Sequence, residues 1–133
     1  MKTTFKIING NLYEYDSNGN LIHYKKSNGF ESWREYDSNG NLIHFKSSTG
    51  FESWREYDSH GKLIHYKNSD GYEYWYEYDG NGNEIHYKNS DGYERWCDSK
   101  GNSITKKQFD KLNSSCAGKI VEIDGKKYHL TLL

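Results

Sequence analysis

The chain repeats itself every 21 residues: Trp33, Trp54, Trp75 and Trp96 keep that interval, and so do His23, His44, His65 and His86. A unit copied in this way folds as one supersecondary element stacked on its own copies, so nearly every residue between about 13 and 102 is a scaffold residue first. Each copy reads as two short strands, residues 30–37 (FESWREYD) and 42–46 (LIHFK), both alternating and rich in aromatic or β-branched residues. Between them, Asn39-Gly40 predicts a two-residue type I′ turn with positive φ at both positions. The same turn recurs at Asn18-Gly19 and Asn81-Gly82, with His60-Gly61 as a variant. A second turn closes each copy at Ser27-Asn28-Gly29, Ser48-Thr49-Gly50, Ser69-Asp70-Gly71 and Ser90-Asp91-Gly92. Three residues with Gly last predict a type I turn followed by a left-handed glycine.

These turns fix a register, and the register fixes the faces. The first turn sets Tyr36 opposite Ile43, Glu35 opposite His44, Arg34 opposite Phe45 and Trp33 opposite Lys46. The second sets Lys25 opposite Glu31 and His23 opposite Trp33. Ile22, Tyr24, Phe30, Ser32, Arg34 and Tyr36 then share the face expected to form the core, while Leu21, His23, Lys25, Glu31, Trp33 and Glu35 share a patterned surface. The opposite assignment, with Trp as core and Tyr as surface, stays open because both faces carry aromatics. Equivalent residues of successive copies lie two strands apart, which predicts a spacing of ~9.6 Å.

At the start, Ile8-Asn9-Gly10-Asn11 reads as an earlier turn, so the array begins near residue 3. After Trp96 the pattern shortens to Trp96-Cys97-Asp98-Ser99-Lys100-Gly101-Asn102. Thr105-Lys106-Lys107-Gln108 is a capping box flanked by Ile104 and Phe109 as a hydrophobic staple, which predicts a helix over 106–112. Asp124-Gly125 between two alternating segments predicts a hairpin over 119–132. The expected class is all-β: an antiparallel β-hairpin repeat array over 1–102, a twisted open meander or short solenoid-like sheet, with a small helix-plus-hairpin cap over 103–133. A cap protects a sheet edge from pairing with other chains; the alternative is that this non-repetitive tail is the effector.

The segments Tyr36-Asp37-Ser38-Asn39-Gly40-Asn41-Leu42, Tyr57-Asp58-Ser59-His60-Gly61-Lys62-Leu63 and Tyr78-Asp79-Gly80-Asn81-Gly82-Asn83 carry a Tyr-Asp-x-x-Gly signature. The first two continue it with x-Leu. They resemble the YD repeats of bacterial RHS and teneurin-type proteins, over about two thirds of the chain. The resemblance implies a β-hairpin fold. In large members such hairpins spiral into a shell around a toxin, which a short array of about four repeats is too small to form. The Trp and His at fixed repeat positions lie outside that signature.

A net charge of −1, a mean hydropathy of −1.12 and 28% charged residues describe a polar chain with no overall electrostatic bias, which counts against nucleic-acid binding. Thirteen Tyr and four Trp must supply the apolar packing that few aliphatic residues can. No apolar run reads as a signal peptide or membrane span, so the expected location is cytoplasmic. Cys97 and Cys116 fit no Cys-x-x-Cys pattern and read by default as buried or half-buried thiols, with a disulfide as the alternative. No metal site and no cofactor are expected: the histidines recur too far apart to share an ion, and each faces a carboxylate across its hairpin. Enzyme activity is not expected either, because the carboxylates and histidines sit at repeated positions and a catalytic pocket is asymmetric.

What repetition suits is binding. Trp33, Trp54 and Trp75 form a row of amphipathic anchors flanked by Glu35, Glu56, Glu77, His44, His65 and His86, and these nine are the candidate partner-binding residues. The expected function is a non-enzymatic protein-binding module, for instance a small phage or mobile-element inhibitor of a bacterial defence nuclease or toxin. Carbohydrate binding by the aromatic row is the alternative. Single-stranded nucleic acid is a further one, opposed by the glutamates. Self-association through an open edge strand is also foreseen.

Overall fold

The computed structural model of the protein describes residues 2–114 and 120–129. Eleven strands follow one another in chain order in one antiparallel sheet: β1 (Thr4–Ile8), β2 (Asn11–Tyr15), β3 (Leu21–Lys25), β4 (Glu31–Tyr36), β5 (Leu42–Ser47), β6 (Glu52–Tyr57), β7 (Leu63–Asn68), β8 (Glu73–Tyr78), β9 (Glu84–Asn89), β10 (Glu94–Cys97) and β11 (Ser103–Ile104). Helix α1 (Lys106–Ser114) follows, and then a separate hairpin of β12 (Ile120–Ile123) and β13 (Lys126–His129). By contacts the chain divides into one unit of Met1–Trp75 with Asn89–Asp91 and another of Tyr76–Lys88 with Gly92–Leu133.

The turn after Tyr-Asp differs from the two-residue type I′ expected at Asn39-Gly40. Gly40 has a φ of +84° but Asn39 stays at negative φ, and the Gly40 amide donates to Asp37 O at 3.1 Å while the Asp37 amide donates to Asn41 O at 2.9 Å. This is a three-residue loop, a type I turn ending in a left-handed glycine. The cause is Asp37. Its Oδ1 accepts the amides of Asn39 and Asn41, both at 2.9 Å, and its Oδ2 accepts Asn41 Nδ2 at 3.0 Å, which winds the chain into the type I conformation. Asp16, Asp58, Asp79 and Asp98 bind the amides two and four residues on in the same way. Where no aspartate precedes the turn, at Ile8-Asn9-Gly10, both central residues are at positive φ, 51° and 77°, as type I′ demands. The second turn is as expected: the Gly29 amide donates to Lys26 O, the Lys26 amide to Phe30 O, and Gly29 has a φ of +94°.

The extra loop residue is absorbed by a bulge. Tyr36 pairs with Leu42 where Ile43 was expected, the register shifts between Glu35 and Tyr36, and from there Glu35 pairs with His44, Arg34 with Phe45 and Trp33 with Lys46 as expected. The same shift occurs at Glu14/Tyr15 and Glu56/Tyr57. Beside the bulge, the Leu21 carbonyl receives the phenol of Tyr36 at 2.8 Å, and the Leu42 carbonyl receives that of Tyr57 at 2.9 Å. Tyr, Asp, Gly and Leu of the signature thus each hold one part of a single joint: the tie to the previous hairpin, the turn clamp, the left-handed residue and the acceptor.

Among the described residues the buried side chains are small: Ser32, Ser47, Ser53 and Cys97. The aromatic rings are half-buried and tile one face of the sheet. Tyr13 lies 4.9 Å from Tyr24 and Phe45 lies 6.1 Å from Phe51 by ring centroid, while the guanidinium of Arg34 sits 5.2 Å over Phe45 and that of Arg55 sits 5.1 Å over Tyr66. Ser32 and Ser53 leave room for those rings and accept hydrogen bonds from Arg34 and Arg55 at 3.2 Å. In the second unit, Thr105 and Gln108 close the capping box with backbone bonds of 2.9 and 3.2 Å, and α1 runs to Ser114, two residues beyond the expected end at 112. Asp124 and Gly125 turn the last hairpin at positive φ, 50° and 75°. Residues 119 and 130–132 of the expected hairpin, and Cys116, lie outside the described residues.

Candidate binding face

The face opposite the aromatic tiles is built from a cross-strand motif that the register repeats. On β5, His44 places Nδ1 3.5 Å from the Glu35 carboxylate on β4 and Nε2 2.7 Å from the Glu52 carboxylate on β6, and its ring stacks on Trp54 with centroids 5.5 Å apart and planes 11° apart. His65 repeats this with Glu56 at 3.4 Å, Glu73 at 2.7 Å and Trp75 at 5.3 Å and 9°. His23 repeats it with Glu14 at 3.5 Å, Glu31 at 3.3 Å and Trp33 at 5.4 Å and 12°. In the second unit His86 lies between Glu77 at 3.4 Å and Glu94 at 3.0 Å and stacks on Trp96 at 5.3 Å and 13°.

Serine hydroxyls help to set these positions. The amides of Glu31, Glu52 and Glu73 each donate to the hydroxyl of a serine 17 residues later, Ser48, Ser69 and Ser90, at 2.9 to 3.0 Å. This holds the inner glutamates where they reach the histidine of the neighbouring strand. Lys25 adds a 2.7 Å contact to Glu31, and that ammonium, followed by His23, holds the Glu31 carboxyl below its usual pKa. Half-exposed ion pairs contribute little to stability, so what the bracket provides is orientation: the imidazole is held from both ends and the indole is held against it.

Of the nine residues singled out from sequence, Trp33, Trp54, Trp75, Glu35, Glu56, His44 and His65 share this face of the first unit, and Glu77 and His86 repeat the carboxylate-imidazole pair within the second. The three indoles are 39%, 40% and 36% exposed. Glu35 and Glu56 are 68% exposed, whereas their inner counterparts Glu31 and Glu52 are 23% and 30% exposed. Sequence reasoning missed the inner carboxylates Glu31, Glu52, Glu73 and Glu94 as histidine partners, although they keep the 21-residue interval two residues before each Trp. It also missed the stacking of His on Trp, which the direct pairing of His23 with Trp33 implies. Among the described residues no group of three or more His, Cys, Asp or Glu is placed to hold a metal ion.

The spacing along the face needs correction. Trp33 pairs with Lys46, and Lys46 pairs with Glu52, two residues short of Trp54. Each hairpin is therefore displaced by two residues along the strands, one per strand, the stagger found in an eight-stranded barrel of shear 8. Combining two strand spacings with two residue rises puts equivalent residues about 12 Å apart on an oblique line, in place of ~9.6 Å straight across.

A displaced stack of near-identical hairpins has a counterpart among solved structures. The fold is shared with Tc toxin chains. The structure described as the Photorhabdus luminescens Tc holotoxin pore, mutation TccC3-D651A, matches with a TM-score of 0.54 and 20% identity over 71% of this chain. The TcdB2-TccC3-TEV crystal structure matches with the same values. In both cases the match takes in 5% of the toxin chain. No family model and no curated protein matches the chain.

Proposed function

We propose that the protein is a non-enzymatic binding module, acting in the cytoplasm, that engages another protein through its Trp-His-Glu face. The observation that carries this reading is the set of three indoles in one unit, 36–40% exposed and each packed against an imidazole held by two carboxylates. Tryptophan anchors held in one orientation before contact lose little freedom on binding, which favours their use as hot spots. That the similar structures include a holotoxin pore supports the same class.

The partner class we propose is a bacterial defence nuclease or toxin, with this chain as a small inhibitor of phage or mobile-element origin. A surface that presents the same groups every 21 residues suits obstruction better than turnover. A glycan or a single-stranded nucleic acid would stack on indole faces, and an imidazole already covers one face of each.

The test is affinity capture from bacterial lysate with the tagged chain, wild type against a Trp33→Ala, Trp54→Ala, Trp75→Ala variant that keeps its β-sheet circular dichroism. The expected result is a nuclease or toxin retained by wild type, lost by the variant and inhibited by the purified chain. Capture by both proteins alike would remove the face from the reading, and capture of neither a nuclease nor a toxin would remove the inhibitor role.

A further inference from the structure

β1 has one hydrogen-bonded neighbour among the described residues, β2, and its five residues are all exposed. Phe5 is 57%, Ile7 75% and Ile8 49% exposed, which makes this a hydrophobic edge of the kind that pairs with another strand. The direction of its backbone groups follows from the turn. Ile8 and Asn11 close the two-residue Asn9-Gly10 loop, so Ile8, Lys6 and Thr4 spend their amides and carbonyls on β2, and by alternation Phe5 and Ile7 turn theirs outward.

We propose that β1 pairs with β1 of a second copy of this chain, antiparallel, with Phe5 on the two-fold axis. Parity, charge and the position of the turn select the register. Outward groups can bond only to outward groups, so Phe5 and Ile7 must oppose residues of their own parity. Among those registers, one centred on Lys6 sets two lysines directly opposite in a close non-bonded pair, and one centred on Ile7 runs into the Asn9-Gly10 turn. Centring on Phe5 sets Phe5 against Phe5, Ile7 against Thr3, Lys6 against Thr4 and Ile8 against Lys2 of the other copy, with no like charges opposed and about six new backbone bonds.

The far edge of the sheet does not offer a rival partner for β1. β11 has two residues, and α1, which follows it, lies against β10. Pairing is therefore head-to-head and closed, a dimer and not a filament. The parity that selects Phe5 also keeps equivalent faces together. Phe5 and Glu14 share a face, and Glu14 pairs with His23, so the Trp-His-Glu faces of both copies lie on one side of the joined sheet. The dimer stands independently of the protein-binding reading.

Sedimentation of the full chain over a range of concentrations tests it. The expected result is a reversible dimer of twice 15.7 kDa. Phe5→Pro removes one outward amide and leaves every bond to β2, so it weakens the dimer by about tenfold or more while far-UV circular dichroism is unchanged. If Phe5→Pro unfolds the chain, Phe5→Lys, which sets lysine against lysine at an exposed site, gives the same readout. A monomer at the highest soluble concentration, or a dimer indifferent to the folded variant, overturns the proposal. Lys6→Thr leaves the constant within about twofold; strengthening of about tenfold would overturn the register by moving the axis to Lys6.

Discussion

Asp37 shows what one side chain decides in this fold. Asn41, with its side chain and then its backbone amide, binds the Asp37 carboxylate and holds its pKa below the ordinary value; Asp16, Asp58, Asp79 and Asp98 are lowered by the same kind of bonds. A lowered folded value means that the ionised group stabilises the fold fully above the unfolded pKa of ~3.9 and loses that contribution as pH falls through the folded value. Asp37→Ala should therefore lower the melting temperature at pH 7 by a few degrees, with the gap from wild type narrowing below about pH 4. Thermal melts across that range check it, and a gap that stays constant into acid would assign the turn to Gly40 and Asn41 alone. Sequence reasoning saw Asn39-Gly40 and expected type I′, because it weighed the two turn residues and not the acceptor preceding them. The chain contains its own control in Asn9-Gly10, where that acceptor is missing and type I′ forms.

The hairpin is where most of the fold was legible and where the first discrepancy was hidden. Side-chain parity depends on counting residues between turns, and a three-residue loop with a compensating bulge restores the count of a two-residue loop, so the pairs from Glu35/His44 onward were right for a turn that was wrong. The bulge itself went unseen, and with it the Tyr57 hydroxyl to Leu42 carbonyl bond that ties this hairpin to the one before. Burial, followed by the Asp37 charge, opposes ionisation of that phenol, with Arg55 acting the other way, which keeps it a donor. Tyr57→Phe removes that donor and leaves the ring, so it should cost about 0.5–1.5 kcal/mol in urea unfolding with no change in β-sheet signal. A neutral result would show that water replaces the bond. The site was legible to the same depth. Direct cross-strand partners such as Glu35 and His44 follow from parity, but Glu52 reaches His44 diagonally, and the parity count gives no diagonal reach.

For the whole molecule, the absence of any large buried side chain among the described residues matters more than any single contact. Within each unit the rings pack on those of the neighbouring strand, so stability there is a sum of nearest-neighbour terms. Removing residues 51–71, one 21-residue period, should join Gly50 to Tyr72 in an equivalent turn and leave a folded protein. The slope of its urea unfolding should fall roughly in proportion to the surface lost, while a collapse to an uncooperative transition would reveal long-range packing. The two-residue stagger gives such edits a direction. Within the first unit, every in-frame duplication or loss of a period would slide the next indole, imidazole and carboxylates by about 12 Å along the same diagonal. Repeat number then acts as a tape measure, and the row of indoles can be lengthened without redesigning a single contact.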